Sequence, residues 1–381
     1  MNCGIELFFC GDFCSTPSTK SIEVSQELRG LINSCDFRVC NFEVPLKPDG
    51  VAPKAGMFCQ HDDAPAFLEE LGFNLFSFAN NHTFDYGVEG WQKTMAAFQN
   101  KPFGSGTYDE AFKVKVVEKN DIKIGFLALC YAARFGVFND VREKDGYGCA
   151  YINDLKVNHV IMDAKKVVDY LIILPHDGIE YVDIPLPETI ARYRDFIDYG
   201  ADAVIGTHPH CPQGWEEYKG SPIFYSLGNF LFNSKQDYSY RAWNRPHWYE
   251  GLCVILNIEK ESLTWKVVNT RNVDNVSLIV DHSESREKHN SYINGLLQDP
   301  VGYSNLLRIE CSRLAVQQEI PIIDQSFHDQ GLRSTLKAMV KYLAKYLFNK
   351  PRSNDKKLLC LLKNETRKNL LLRGLDYINK A

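Results

Sequence analysis

Four of the ten histidines of this chain lie in short loops that follow apolar, strand-like runs, and acidic and amide side chains share those loops. A single histidine or aspartate there usually serves a structural or capping role, but capping does not readily explain so many together. Imidazole with carboxylate suits Zn, Mn or Fe, and a bridging carboxylate suits a two-metal centre. These histidines are His82, His176, His208 and His210, and the strand ends also carry Asp12, Glu43 and Asn81.

The elements that must position this cluster are the strands before it. Ligands of open α/β sheets gather beyond the carboxyl ends of parallel strands. Apolar runs alternate with helix-length segments in the first 230 residues, which predicts a layered α/β fold with a mostly parallel sheet. The predicted strands are residues 5–10, 37–40, 75–79, 170–174, 203–205 and 223–227, and short polar turns predict hairpins at 112–129 and 253–269.

Two of the histidines flank a proline, in the order His208, Pro209, His210. A proline disfavours the helical conformation of the residue before it. We therefore expect His208 to be extended, so that both imidazoles reach one cluster.

Composition limits the class of protein. The chain has 381 residues, 45% of them hydrophobic and 24% charged, which excludes disorder as the main state. No apolar run approaches the roughly 18 residues of a membrane-spanning helix, and no secretory signal is recognised, so a cytoplasmic location is expected. The twelve cysteines form no C-x-x-C pair and are interpreted as reduced thiols. A Gly-rich phosphate loop, a G-x-S-x-G elbow and a dinucleotide fingerprint are absent.

The end of the chain differs in charge from the rest. Residues 332–381 carry a net charge of +10, while the remainder carries −15. Leu336, Met339, Val340, Leu343 and Leu347 recur at helical spacing beside a row of lysines, which predicts a basic amphipathic helix. Such a helix either packs on the domain or binds an anionic surface, such as a membrane face or a capsule-synthesis complex; nucleic acid is not an expected partner. The predicted domains are residues 1–283 and a helical extension, 284–381.

The motifs around the cluster resemble the CapA capsule-synthesis family, linked with poly-γ-glutamate biosynthesis, within the calcineurin-like metallophosphatase superfamily. The resemblance covers roughly residues 1–260. It rests on six motifs in order: Gly11-Asp12, Asn41-Phe42-Glu43, the run from Ala79 to Gly87, His176 to Tyr181, Gly206 to Gln213, and Tyr225 to Phe230.

The resemblance implies a four-layered β-sandwich flanked by helices and holding one or two divalent ions. By the superfamily pattern Asp12 binds the first ion, Glu43 bridges, and His210 completes the first ion. The second ion is then held by Asn81, His176 and His208. His82 is the implied general acid. Asp85 and Glu180 join the catalytic set as acceptors that orient imidazoles, or else cap their loops.

The implied function is a metal-dependent phosphoesterase-like enzyme of capsule or exopolymer synthesis, acting on a phosphoester or an anionic polymer. The alternative is a non-catalytic assembly protein that binds the polymer. Cys14 stands where the superfamily has a histidine, as a thiolate ligand or as a buried residue. Weaker candidates for substrate contact are Asn229, Arg241 and Trp243.

Overall fold

The structure, a computed structural model, describes residues 4–52, 58–99, 101–131, 136–138, 146–233 and 247–317. Its strands are β1 Ile5–Ser15, β2 Glu23–Val24, β3 Phe37–Phe42, β4 Leu75–Ser77, β5 Ser105–Gly106, β6 Lys115–Lys119, β7 Ile122–Cys130, β8 Gly148–Cys149, β9 Tyr170–His176, β10 Ala203–Ile205, β11 Trp215–Tyr218, β12 Ser221–Phe224, β13 Asn229–Asn233, β14 Glu250–Ile258, β15 Leu263–Val273 and β16 Ser277–Val280. Its helices are α1 Gln26–Ser34, α2 Ala64–Glu70, α3 Gly87–Ala97, α4 Tyr108–Ala111, α5 Leu155–Ala164, α6 Pro187–Asp198, α7 Glu284–Leu297 and α8 Pro300–Gln317, with a short 3-10 helix at Thr19–Ser21. Within these ranges, no helix combines the length and the apolar character that crossing a bilayer requires.

The first sheet is built around β1. Its order is β2-β16-β15-β14-β1-β3-β4, with β13 also paired to β1. Strands β3 and β13 run parallel to β1, whereas β14 runs antiparallel to it. Leu7, Phe8 and Phe9 are all buried, as expected for an almost continuously apolar strand that is covered on both faces.

The second sheet has the order β11-β12-β10-β9-β7-β6, and its four inner strands are parallel. The edge strands β6 and β11 are antiparallel to their neighbours. The expectation of one mostly parallel sheet is therefore wrong, because the parallel strands are divided between two sheets. The predicted hairpins are confirmed as β6–β7 and β14–β15.

The two sheets face each other, with the rings of Phe9 in β1 and Phe126 in β7 6.3 Å apart. Leu28 of α1 packs in the hydrophobic cluster of the first sheet. Tyr193 of α6 stacks on Tyr225, which follows β12 of the second sheet. The layers are thus helix, sheet, sheet, helix, and the predicted α/β sandwich flanked by helices is confirmed.

The strand ends that carry the predicted ligands meet at one end of this sandwich. Asp12 pairs with Asn41 on one side and with Asn229 on the other, and β1 continues past its predicted end to Ser15. A Cβ at Gly11 would lie 1.9 Å from the carbonyl oxygen of Gly228, so glycine lets these two backbones touch. The Asp12 N–H then donates to that carbonyl.

The chain divides into two compact units, residues 1–295 and 296–381. The first unit holds both sheets and most of α7, and α7 bonds to it through Arg286 and Asn290. Helix α8 belongs to the second unit. The domain boundary at residue 283 stays a prediction, and the basic segment 332–381 lies outside the described residues.

Candidate metal centre

Two fully buried carboxylates lie at the centre of the site. Asp12 accepts hydrogen bonds from the Asn41 side-chain amide at 2.6 Å and from the His208 backbone N–H at 3.0 Å. Glu43, at the end of β3, has both oxygens buried, and neither accepts a hydrogen bond of ordinary geometry from any residue the structure describes. An unpartnered buried carboxylate is costly unless a cation accompanies it.

Three imidazoles surround one oxygen of that carboxylate. The Nε2 atoms of His210, His176 and His82 lie 3.7, 3.9 and 4.0 Å from Glu43 Oε1. These distances are too long for hydrogen bonds. They leave room for an ion that binds the carboxylate and an imidazole together.

The pKa values of the two acids also indicate that their ionised forms lack a compensating positive charge. Burial raises the pKa of Asp12 to about 7, against the opposing hydrogen bonds from Asn41 and His208. Burial and the charge of Asp12 raise the pKa of Glu43 well above its ordinary value. Burial, together with the neighbouring imidazoles, lowers the pKa of His176 well below its usual range, and burial lowers that of His210 to about 3. The histidines are therefore neutral ligands, and the acids keep their protons unless a cation replaces them.

The ligand atoms form two neighbouring groups, each with its atoms within 4.8 Å of one another. One group is Asp12, Glu43 and His176, and the other is Glu180, His208 and His210. The His176 and His208 rings join the groups, with centroids 4.7 Å apart. Glu180, assigned by resemblance to an orienting role, thus lies among the candidate ligands.

Asn81 and His82 reach the centre from the segment after β4. Asn81 Oδ1 lies 2.9 Å from His176 Nε2, so these two predicted ligands of one ion are adjacent. His82 Nδ1 contacts Asp85 Oδ2 at 2.7 Å, and its Nε2 faces Glu43. The His82 side chain is 20% exposed whereas that of Glu43 is fully buried, so His82 lies at the boundary between the centre and solvent.

Asn229 supports a histidine. Its Oδ1 accepts from His210 Nδ1 at 2.9 Å, and its amide donates to the Trp248 carbonyl, which fixes the orientation of the amide. His210 Nε2 therefore carries the lone pair and points towards Glu43. The substrate contact predicted for Asn229 stays a prediction, and Arg241 and Trp243 lie outside the described residues.

Cys14 lies in a neighbouring apolar cluster with Val44, Phe232 and Trp248. It is in neither ligand group. Of the two roles open to it, the structure favours the buried residue over the thiolate ligand.

The histidine-proline-histidine turn has an unusual backbone. His208 and His210 have φ angles of 100° and 57°, so the expectation of an extended His208 is wrong. Non-glycine residues in this region store strain that the surrounding structure must offset. Here the His208 N–H is held by Asp12, which turns the backbone towards the carboxylate.

Three supporting residues were not singled out as functional from the sequence. Asn41 bonds Asp12 and lies 3.2 Å from His176 Nδ1, and Thr207 Oγ1 lies 3.1 Å from that nitrogen. Gln60 bonds the backbones of β1 and β3, including the Glu43 carbonyl. Asn41 and Thr207 lie inside the recognised motifs, so the sequence could have identified them. Gln60 lies in none of the motifs, and the sequence gives no indication of its role.

The donor set fits a divalent transition metal. It combines carboxylate oxygens, those of Glu43 without a partner of ordinary geometry among the described residues, with an amide oxygen and imidazoles, which is the mixture that Zn, Mn and Fe accept.

Comparison with known proteins places these residues in a family. The protein-family model described as "Bacterial capsule synthesis protein PGA_cap" matches residues 6–234. This range includes all the candidate ligands named above. The chain is 29% identical over 218 residues to the PGA biosynthesis protein CapA of Bacillus subtilis, covering 55% of this chain and 57% of that protein. It is 32% identical over 213 residues to the capsule biosynthesis protein CapA of Bacillus anthracis, covering 53% and 52%.

The chain spans about half the length of the curated relatives it matches. Among solved structures, it is similar to a novel phosphatase of Mycoplasma pneumoniae, with 18% identity and a TM-score of 0.39. That similarity covers 76% of this chain and 98% of the phosphatase.

Proposed function

The chain belongs to the bacterial capsule synthesis protein family PGA_cap, and on that premise we propose that it is a metal-dependent phosphoesterase-like enzyme of capsule or exopolymer biosynthesis. The observation that carries the proposal is the buried Glu43 carboxylate, whose oxygens accept no hydrogen bond of ordinary geometry from the described residues and face three imidazoles. A cation bound there would offset the cost of burying this charge beside Asp12.

The residues that would hold the metal come from both sheets. They are Asp12, Glu43, Asn81, His176, His208 and His210, with Glu180 added by its position beside the last two. A divalent ion held there polarises a phosphoryl group and neutralises the negative charge that develops on it. Two buried acids and neutral imidazoles suit this chemistry, because ionised carboxylates and neutral imidazoles offer lone pairs to the ion.

His82 is the residue proposed to move a proton. Its Nδ1 is held by Asp85 at 2.7 Å, so its Nε2 is directed to the centre and its partial exposure allows a substrate to reach it. We propose that Nε2 donates a proton to the leaving oxygen of a phosphoester. Asp85 orients the ring.

The test compares His82→Ala with the wild-type chain on aryl phosphate mono- and diesters with Mn or Zn. General acid catalysis contributes about 10²–10⁴-fold, so turnover should fall by that range while metal content stays the same. His159→Ala, on the exposed face of α5, is the matched control and should change neither quantity. A metal-loaded wild type that hydrolyses no ester of a broad panel would refute the enzymatic proposal.

A second candidate function, a non-catalytic polymer-binding protein of capsule assembly, is favoured by Cys14. Cys14 occupies the position of a superfamily histidine and packs among apolar side chains instead of with the ligand groups. On this alternative the metal centre holds an anionic polymer without cleaving a bond. Metal-dependent binding of poly-γ-glutamate by a chain that turns over no phosphoester would support this candidate.

A further inference from the structure

A third group of potential ligands lies outside the centre described above. Asp183 precedes α6, His247 precedes β14, and His289 lies on α7. Asp183 Oδ2 is 3.3 Å from His247 Nε2 and 4.0 Å from His289 Nε2. All three residues belong to the first compact unit.

The orientation of His247 is fixed from its other side. Its Nδ1 contacts Glu250 Oε2 at 2.8 Å, and the same oxygen accepts from Arg286 at 2.7 Å. A carboxylate on one ring nitrogen, with the other nitrogen facing a ligand position, is the usual support of a metal-binding histidine. Arg286 balances the charge of Glu250, which leaves Asp183 as the anionic ligand.

An ion pair alone would explain His247 but not His289. A protonated His247 between Glu250 and Asp183 satisfies the first imidazole, and its pKa is raised by these two acids against the effect of burial. His289 Nε2, however, is buried and has no hydrogen-bond partner among the described residues. The two rings stack with centroids 4.2 Å apart, which aligns both Nε2 atoms on Asp183.

The buried His289 Nε2 lies 4.0 Å from Asp183 Oδ2, which is too far for a hydrogen bond. One ion between the three side chains would give a partner to a nitrogen that otherwise lacks one.

We propose that Asp183, His247 and His289 form a second divalent-cation site, of the zinc class, with solvent completing the coordination. The site is separate from the proposed catalytic centre and does not depend on it. Its three ligands come from three segments far apart in the chain, so a bound ion ties α7 to the loop before α6.

The position of this site suggests what it stabilises. Trp248 follows His247 and packs on His210 and Tyr181, with ring centroids 5.0 and 5.7 Å away. Tyr181 in turn lies two residues before Asp183. An ion at the second site therefore holds one wall of the first centre in place.

The experiment counts zinc ions bound by the full chain after chelator treatment and dialysis against micromolar zinc. His289→Ala and the volume-conserving Asp183→Asn should each lose one ion per chain relative to wild type. Glu43→Gln should lose ions of the first centre and keep this one, and the Glu43→Gln, His289→Ala double variant should lose both sets. His159→Ala is the control for an exposed histidine and should lose none.

A second readout follows the ion without relying on activity. Zinc should raise the unfolding temperature of Glu43→Gln and leave that of the double variant unchanged. Equal zinc content in wild type, His289→Ala and Asp183→Asn would overturn the proposal. So would a Glu43→Gln chain that binds zinc only at millimolar concentrations. If His289→Ala fails to fold, the test uses the other two variants. The proposal then requires that Asp183→Asn loses one zinc ion per chain and that Glu43→Gln keeps one.

Discussion

Glu43→Gln should stabilise the metal-free chain and abolish most of its metal binding. The substitution keeps the shape of the side chain and replaces an acid whose ionised form is disfavoured by burial and by Asp12. In the wild type the Glu43 oxygens accept no hydrogen bond of ordinary geometry from described residues, so little is lost when the acid is replaced. With metal present the wild type should be the more stable chain, because the variant offers the ion one carboxylate ligand fewer.

Glu43→Gln removes the cost of burying the Glu43 acid and adds the cost of burying an amide. Burial, and then the charge of Asp12, raises the pKa of Glu43 well above its ordinary value, so the fold disfavours this acid at pH 8. A buried glutamine amide without a partner costs about 1–3 kcal/mol. We expect the first cost to be the larger, so the metal-free variant should gain free energy of unfolding at pH 8.

The pH dependence has a definite sign. Because the folded-state pKa of Glu43 is raised, the folded wild type keeps the Glu43 proton above about pH 4.5, where the unfolded chain releases it. This contribution to the stability of the metal-free wild type falls as pH rises, whereas the opposite contributions of His176 and His210, whose pKa values are lowered, are common to wild type and variant. The advantage of Glu43→Gln should be small at pH 4 and largest at pH 8.

The assay is urea unfolding with chelator at pH 4.5, 6 and 8, and again with Mn or Zn. Glu216→Gln is the matched control, because Glu216 is also buried but is bonded by Arg194 and Tyr225. It should destabilise by about 1–3 kcal/mol, because the Arg194 side chain is partly exposed, and leave metal content unchanged. If Glu43→Gln destabilises the metal-free chain at pH 8 as Glu216→Gln does, the cation-dependent reading of the centre is refuted.

Three further predictions concern other parts of the molecule. Asp85→Asn should lower turnover by about 10–100-fold with unchanged metal content, because His82 loses the carboxylate that orients it; steady-state kinetics and elemental analysis check this. Cys14→Ala should keep the metal content and lose about 1–2 kcal/mol of unfolding free energy, measured in urea, because it leaves a cavity in an apolar cluster. A chain ended at Asp329 should keep its metal but lose salt-sensitive binding to anionic vesicles in flotation, at about 1 kcal/mol per suitably placed cation; vesicle binding that persists would contradict the proposed role of the basic segment.

Much of the site could be predicted because its ligands follow strands that are visible in the sequence. Apolar runs such as residues 5–10 and 170–174 identify strands locally, and Asp12 and His176 come next to them. Parallel strands then bring these positions to one end of the molecule, whichever sheet each strand joins. The conformation of His208 could not be inferred in this way, because its positive φ comes from tertiary contacts with Asp12.

The sequence by itself determined which residue types lie at the strand ends, and with them the metal chemistry and the alternation of strands and helices. Only the tertiary structure decided that the parallel strands form two facing sheets, that Glu180 joins His208 and His210, and that Cys14 lies among apolar side chains. The physical reason is that local apolar patterning reports burial, whereas the direction of a side chain depends on register and on loops packed from distant segments. Asp183, His247 and His289 show this most clearly. They are far apart in the chain, and their spacing gives no indication that their ligand atoms lie close together.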